Sequence, residues 1–280
     1  MKERFLMCAP RHFEVAYVIN PWMEGNIARG SNPVAARQWK DLLALLRRFA
    51  EVDCISAERG VPDLVFTANA GLVLDRRVLL SAFRHAERRP EEAYFDRWFS
   101  THGYEVLSLP AGIYFEGAGD ALFDRRLPLL WMGHGHRSDA AAAGIIASLL
   151  DVEVVPLQLV NPHFYHLDTC LCPLDGGALL YYPAAFDQAS QDTIAALVPP
   201  ERRIAVGAED AAAFACNAVN CGRQLIMNRA SDALAATLAA HDYCLHQTPL
   251  SEFMKAGGSA KCLTLKVSEA RMPALALALA

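Results

Sequence analysis

Apolar residues in this chain gather into short runs, and pairs of runs are pinched by small residues around a polar position. In Asp63-Leu-Val-Phe-Thr-Ala-Asn-Ala-Gly-Leu-Val-Leu-Asp75 the polar residue at the pinch is Asn69. The same grammar returns at Tyr114–Asp124, Phe164–Pro173, Phe214–Asn220 and Glu252–Val267. Four of these segments are followed by a further apolar run, a helix-compatible stretch and another strand. One example is Asp187 to Val198 as helix, then Arg203-Ile-Ala-Val206 as strand. Aromatic landmarks at Phe66, Phe115, Phe164, Phe214 and Phe253 are separated by 49, 49, 50 and 39 residues. Repeats of this length are units that bury their faces against neighbours.

Ahead of the repeats, Phe5–Ala9 reads as a short buried strand. A long irregular stretch from Pro10 to Asn32 follows, and its Trp, Met and Ile content predicts an ordered, functional loop. Asn32 and Pro33 are placed to cap and open a helix over Val34–Phe49, with Trp39, Leu42, Leu43, Leu46 and Phe49 near helical spacing. The closely spaced runs at each pinch predict local antiparallel hairpins. Five such units, the last completed by the N-terminal strand and helix, are most economically a closed ring, which needs no open strand edges. A doubly wound parallel sheet is the alternative. The ring has a corollary for function: it brings Asn69, Glu116, His166, Asp168 and Cys262 to one central site.

Composition narrows the partners. A chain of 280 residues, 53% hydrophobic and 20% charged, has ample core-forming material for one domain over residues 1–280, with the low-complexity tail from about 270 peripheral. A formal net charge of −5 offers no general reason to bind nucleic acid or an anionic membrane, so a small molecule is the expected partner. Oligomeric state is left open, a homo-oligomer included. Met1–Cys8 lacks the apolar core of a signal peptide and no apolar run approaches the ~20 residues that span a bilayer, which predicts a cytoplasmic protein. Eight cysteines at irregular spacing read as reduced thiols. Cys170 and Cys172 near His163 and His166, and the pair His134 and His136, lack the spacing of a structural zinc site. No metal and no cofactor is expected.

One cysteine has a seat suited to a nucleophile. Cys262 follows the Gly257-Gly-Ser-Ala260 turn, where the backbone is free to approach a ligand, and Lys255 and Lys261 supply positive charge that favours thiolate. Free cysteines are mostly small core residues. Cys262 stands apart because other repeats offer a histidine and carboxylates.

Phe115-Glu-Gly-Ala-Gly-Asp120, His166-Leu-Asp-Thr169 and Gly257-Gly-Ser-Ala-Lys-Cys262, in this order, resemble the motifs of the guanidino-group modifying superfamily, which includes arginine deiminase, dimethylargininase and the amidinotransferases. The resemblance runs from about residue 5 to 267. It implies a five-bladed α/β propeller, or pentein, with Cys262 as nucleophile, His166 as acid/base, and Glu116 and Asp168 as catalytic carboxylates that hold a guanidinium. It also implies that Arg88 and Arg137 bind the substrate carboxylate, with Arg84 and Arg89 as competitors for Arg88. Asp120 is assigned either to substrate or to the Gly117–Gly119 turn. Val18–Asn26, Leu64–Gly71 and Phe214–Asn220 resemble the bacterial arginine dihydrolases most.

Asn69 discriminates within the superfamily. Arginine deiminases typically carry an aspartate there. A carboxylate only accepts hydrogen bonds, whereas an amide also donates, so Asn69 can hold the neutral ureido group of citrulline for a second hydrolysis. Asn20 resembles a second residue in that role, and also reads as a turn residue before Pro21. The expected activity is an arginine dihydrolase that releases ornithine, carbon dioxide and two molecules of ammonia. Dimethylargininase is the stronger rival, ahead of arginine deiminase, an amidinotransferase and a catalytically silent amino-acid binder.

Overall fold

The first apolar run forms β1 (Arg4–Cys8), followed by α1 (Asn32–Leu46) and β2 (Glu51–Ile55). The next unit is β3 (Gly71–Leu74), β4 (Arg77–Leu80), α2 (Glu91–Thr101) and β5 (Glu105–Leu107). It repeats as β6 (Ala121–Phe123), β7 (Leu129–His134), α3 (Ala142–Leu150) and β8 (Glu153–Gln158), then as β9 (Leu171–Pro173), β10 (Leu179–Tyr181), α4 (Gln188–Leu197) and β11 (Arg203–Ala205). After α5 (Ala208–Ala212) come β12 (Val219–Cys221), β13 (Gln224–Met227), α6 (Asp232–Ala240) and β14 (Cys244–Gln247). The short α7 (Ser251–Met254) leads to β15 (Leu265–Lys266). This computed structural model describes residues 2–271, so the tail expected to be peripheral lies, from residue 272, outside the described residues.

The strands form five three-stranded sheets, the five blades that the repeat predicts. Within a blade the first two strands are antiparallel, as in Leu72 opposite Leu79, and the third runs parallel to the second, as in Val78 beside Val106. The helix supplies the crossover that a parallel pair requires. The last blade is closed by both ends of the chain: Phe5 pairs with Lys266 and Leu6 with Leu265, while β1 runs parallel to β2. Helices bury one stripe against their blade; on α1, Trp39, Leu42 and Leu46 pack with Phe5, Met7 and Phe253. Among the described residues no helix is long and apolar enough to cross a membrane.

Three local expectations are corrected. The pinches are not hairpin loops. They are 3-10 turns, such as Thr67–Ala70, Gly117–Gly119 and Leu167–Thr169, that enter the first strand of a blade, and the hairpin comes one strand later. Between the first two the lack of a side chain permits close approach: a Cβ on Gly117 would lie 2.8 Å from the Gly71 nitrogen, and one on Gly119 2.2 Å from Asn69 Nδ2. The first strands begin at Gly71, Ala121, Leu171, Val219 and Leu265, so Phe253, on α7, is out of register with the other aromatic landmarks. At α1 the N-cap position belongs to Ser31, whose backbone N–H is taken by Glu252 Oε2 at 2.7 Å; Asn32 is already helical.

Candidate active site

Counting back from the first strand of each blade shows how the repeat builds a site. Five residues before it stand Glu116 and His166, three before it Asp168 and Cys262, and two before it Asn69 and Asn217. Equivalent backbone positions thus carry different chemistry in different blades, and the ring turns them toward one another. His166 and Asp168, two residues apart, do not share a strand face, because both lie at a 3-10 turn.

Glu116 and His166 are buried and form a pair, with His166 Nε2 2.6 Å from Glu116 Oε2. The same oxygen accepts from Arg137 Nη1 at 2.9 Å. Burial alone raises a carboxyl, but the Arg137 guanidinium and the His166 hydrogen bond outweigh it and hold Glu116 well below the usual range. Burial pushes His166 down to about 4, against the pull of Glu116. At neutral pH the pair is therefore a neutral imidazole donating to an ionised carboxylate.

Cys262 is buried, with Sγ 3.3 and 3.5 Å from the carboxyl oxygens of Asp168 and 3.0 Å from Asn217 Nδ2. Burial first, and the charge of Asp168 second, push the thiol up. Burial raises Asp168 to about 7, opposed chiefly by Lys261. Lys255 does not serve the thiol as expected: its ammonium is tied to Glu252 at 2.8 Å and to the Arg29 carbonyl at 3.1 Å. The glycines before Cys262 act through space more than through flexibility. A Cβ on Gly258 would lie 2.4 Å from the Phe66 ring, and one on Gly257, at φ +85°, 2.7 Å from Tyr165 Oη.

Cys262, His166, Asn69, Asn20, Arg88 and Arg137 line one narrow cavity with about 10 Å³ of room. Asn69 accepts from Arg88 Nη1 at 2.9 Å through Oδ1 and donates to the Glu116 carbonyl at 3.0 Å through Nδ2. Asn20 has two placements. It lines the cavity, and it caps the Pro21–Met23 turn while donating to the Ala256 carbonyl at 3.1 Å. Arg137 Nη2 holds the Ile19 carbonyl at 3.0 Å and its guanidinium lies over the Tyr165 ring.

Arg88 is not a solvated surface arginine. It makes a buried two-point pair with Glu91, 2.8 Å at each end, and burial leaves Glu91 raised to about 7 despite it. Arg84 and Arg89 do not line the cavity: Arg84 pairs with Asp139, and Arg89 Nε donates to the Phe83 carbonyl at 3.1 Å. Glu116 and Asp168 stand behind the cavity wall, presented through His166 and Cys262 respectively. Asp120 is also off the cavity. It accepts from Ser138 Oγ at 2.6 Å and from the Leu167 N–H at 3.0 Å, and so braces the turn that carries His166. Cys170 and Cys172 are core residues.

Two residues escape the sequence reading. Asp63 lines the cavity, buried, with Oδ2 taken by Tyr17 Oη at 2.9 Å and Oδ1 without a partner among the described residues. A carboxylate inside the apolar run after Pro62 is the signal that could have found it. Asn217 is completely buried against Cys262. Its signal is the repeat itself, since it stands where Asn69 stands.

Comparison with known proteins agrees with this geometry. Residues 28–269 match the family model described as N,N dimethylarginine dimethylhydrolase, eukaryotic. The bifunctional arginine dihydrolase/ornithine cyclodeaminases AgrE of Nostoc sp. and ArgZ of Synechocystis sp. are each 54% identical, over 95% and 96% of this chain. The chain spans 38% of the length of either. An N(G),N(G)-dimethylarginine dimethylaminohydrolase of Mycobacterium tuberculosis is 40% identical over 94% of this chain and 85% of its own length. Among solved structures, the product-bound N-terminal domain of ArgZ superposes with a TM-score of 0.97 at 53% identity, covering 98% of this chain and all of that one. Variants of that domain are solved with substrate, where a cysteine is replaced by serine, and with a covalently bound reaction intermediate, where an asparagine is replaced by serine. With its five blades and its buried cysteine, histidine and carboxylates, the chain belongs to the dimethylarginine dimethylaminohydrolase family within the guanidino-group modifying, or pentein, superfamily.

Proposed function

We propose that this chain is one catalytic unit that hydrolyses the guanidino group of L-arginine in two rounds, giving ornithine, carbon dioxide and two molecules of ammonia. The observation that carries the reading is the meeting, on one cavity, of Cys262, of His166 backed by Glu116, and of the amide residue Asn69. Two positions in the ArgZ domain support it. The cysteine and the asparagine whose replacement accompanies bound substrate and bound intermediate are numbered two higher there than Cys262 and Asn69 here.

A guanidinium is a resonance-stabilised cation, so its carbon yields only to a strong nucleophile held close with the leaving nitrogen protonated. As Cys262 attacks that carbon, its thiol proton passes to the free ring nitrogen of the neutral His166, which delivers it to the departing ammonia, and a thiouronium adduct remains. His166 then takes a proton from the attacking water, the C–S bond breaks to return Cys262, and citrulline forms. Asp63, with an oxygen unpartnered among the described residues, and the charges of Glu116 and Asp168 balance the cation. The ureido group of citrulline is neutral and presents a carbonyl oxygen, to which Asn69 can donate. Retained there, it undergoes the same attack again, and the resulting carbamate loses carbon dioxide. With room for about one water, the cavity must widen to take arginine, and the segment with Ile19, Asn20 and Met23 forms part of its wall. That segment is fastened by the Trp22 Nε1 bond to the His163 carbonyl at 2.7 Å.

Dimethylargininase is the second reading, favoured by the family model itself. End-point mass spectrometry with arginine, citrulline and asymmetric dimethylarginine in parallel separates the two. Ornithine with two equivalents of ammonia from arginine supports the dihydrolase. Accumulated citrulline from arginine, or preferred turnover of the methylated substrate, overturns it.

A further inference from the structure

The carboxamide of Asn217 is the most heavily bonded side chain at the site, and the mechanism above makes no use of it. Its Oδ1 accepts the backbone N–H groups of Ser259, Lys261 and Cys262, at 3.1, 3.0 and 3.2 Å. Its Nδ2 donates to the Asp168 carbonyl at 2.9 Å and to Cys262 Sγ at 3.0 Å. Three donors on one amide oxygen polarise the group and strengthen what its N–H can give. Asp168, the other side chain bonded to this sulfur, is acceptor-only once ionised. Asn217 is therefore the side chain placed to stabilise negative charge on the sulfur.

We infer that Asn217 is a catalytic residue: its Nδ2–H bond to Sγ stabilises the attacking thiolate, while its Oδ1 aims that sulfur by gripping the loop from Ser259 to Cys262. The inference rests on the assignment of Cys262 as nucleophile. A purely structural bracket makes the opposite prediction for thiol acidity. Loosening the loop exposes the sulfur and moves its titration down toward the ordinary thiol range, whereas loss of the donor moves it up.

The test is Asn217→Ala in the full chain, with alkylation of Cys262 by iodoacetamide followed by peptide mass spectrometry across pH, beside arginine turnover and Tm. Asp168, Lys261, Tyr165 and His166, the titratable groups around the sulfur, are unchanged in the variant. The expected result is an alkylation midpoint about one to two pH units higher and turnover about 100-fold lower. A midpoint that stays or falls in a folded variant overturns the inference. Should the variant not fold, the wild-type chain decides by NMR with selectively 15N-labelled asparagine. An Asn217 side-chain resonance that moves with the alkylation midpoint supports the role, and one indifferent to pH and to alkylation overturns it. Cys262→Ser separates the two levels: retained turnover there sinks the nucleophile itself, whereas an inactive Cys262→Ser beside an unshifted Asn217→Ala sinks only the role of Asn217.

Discussion

Cys262 Sγ lies 3.3 Å from Asp168 Oδ2, a thiol and a carboxyl that occupy the same position in two different blades. The contact is double-edged. Asp168 can receive the thiol proton, but its charge opposes the thiolate that catalysis needs. Replacing Asp168 by Asn removes the charge at nearly constant shape. Cys262 in Asp168→Asn should alkylate about tenfold faster at pH 8, a shift of about one pH unit. Arginine turnover should nevertheless fall, because the cation loses a countercharge. Parallel alkylation and turnover assays check this, and slower alkylation would refute the electrostatic account.

Asn69→Asp tests the second round. The aspartate keeps an oxygen for Arg88 but turns another acceptor toward the Glu116 carbonyl and offers nothing to a ureido oxygen. Conversion of citrulline to ornithine should drop at least about tenfold, the loss expected for one hydrogen bond to the reacting group. Citrulline should then accumulate from arginine. An unchanged ratio of ornithine to citrulline by mass spectrometry removes Asn69 from the proposed role.

Arg88 and Glu91 form an almost fully buried ion pair, and breaking such a pair strands a charge. Arg88→Ala should cost about 3 kcal/mol in denaturant unfolding. Arg88→Met with Glu91→Leu should recover most of that stability without recovering KM for arginine. Recovery of both would leave Arg88 a purely structural residue.

His166 makes a signed prediction for pH. Its folded value of about 4 lies below the ordinary 6.5, so the unfolded chain takes up this proton first as pH falls. Stability from this group is full above pH 6.5 and is lost as pH falls from 6.5 to 4. Asp168, raised to about 7, contributes in the opposite sense, so the wild-type curve mixes the two. The comparison with His166→Gln isolates the histidine: Tm of the variant should fall less between pH 6.5 and 4. Parallel curves would contradict the burial argument.

The ring was legible because its repeat leaves marks near the chain's own rhythm, at Phe66, Phe115, Phe164 and Phe214. The joining of β1 to β15 followed from the same count. The pinches were misread as hairpins because small residues signal a tight turn without saying which strands it joins. Side-chain allegiances were less legible. Nothing in His85-Ala-Glu-Arg88 says that Glu91 fills the guanidinium fork. Lys255 lies seven residues before Cys262 in sequence, yet α7 points it toward Glu252. Asn217 reaches Cys262 only because blades far apart in sequence meet at the axis.

Blade closure at β15 has a consequence for biosynthesis. Two residues, Leu265 and Lys266, anchor the nucleophile loop to a first strand made some 260 residues earlier, a contact of very high sequence separation. A nascent or truncated chain can assemble intermediate blades from local contacts, but it cannot position Cys262 until that long-range pairing forms. Maturation of the thiol and completion of the ring are one event, so no partial product carries an aimed nucleophile.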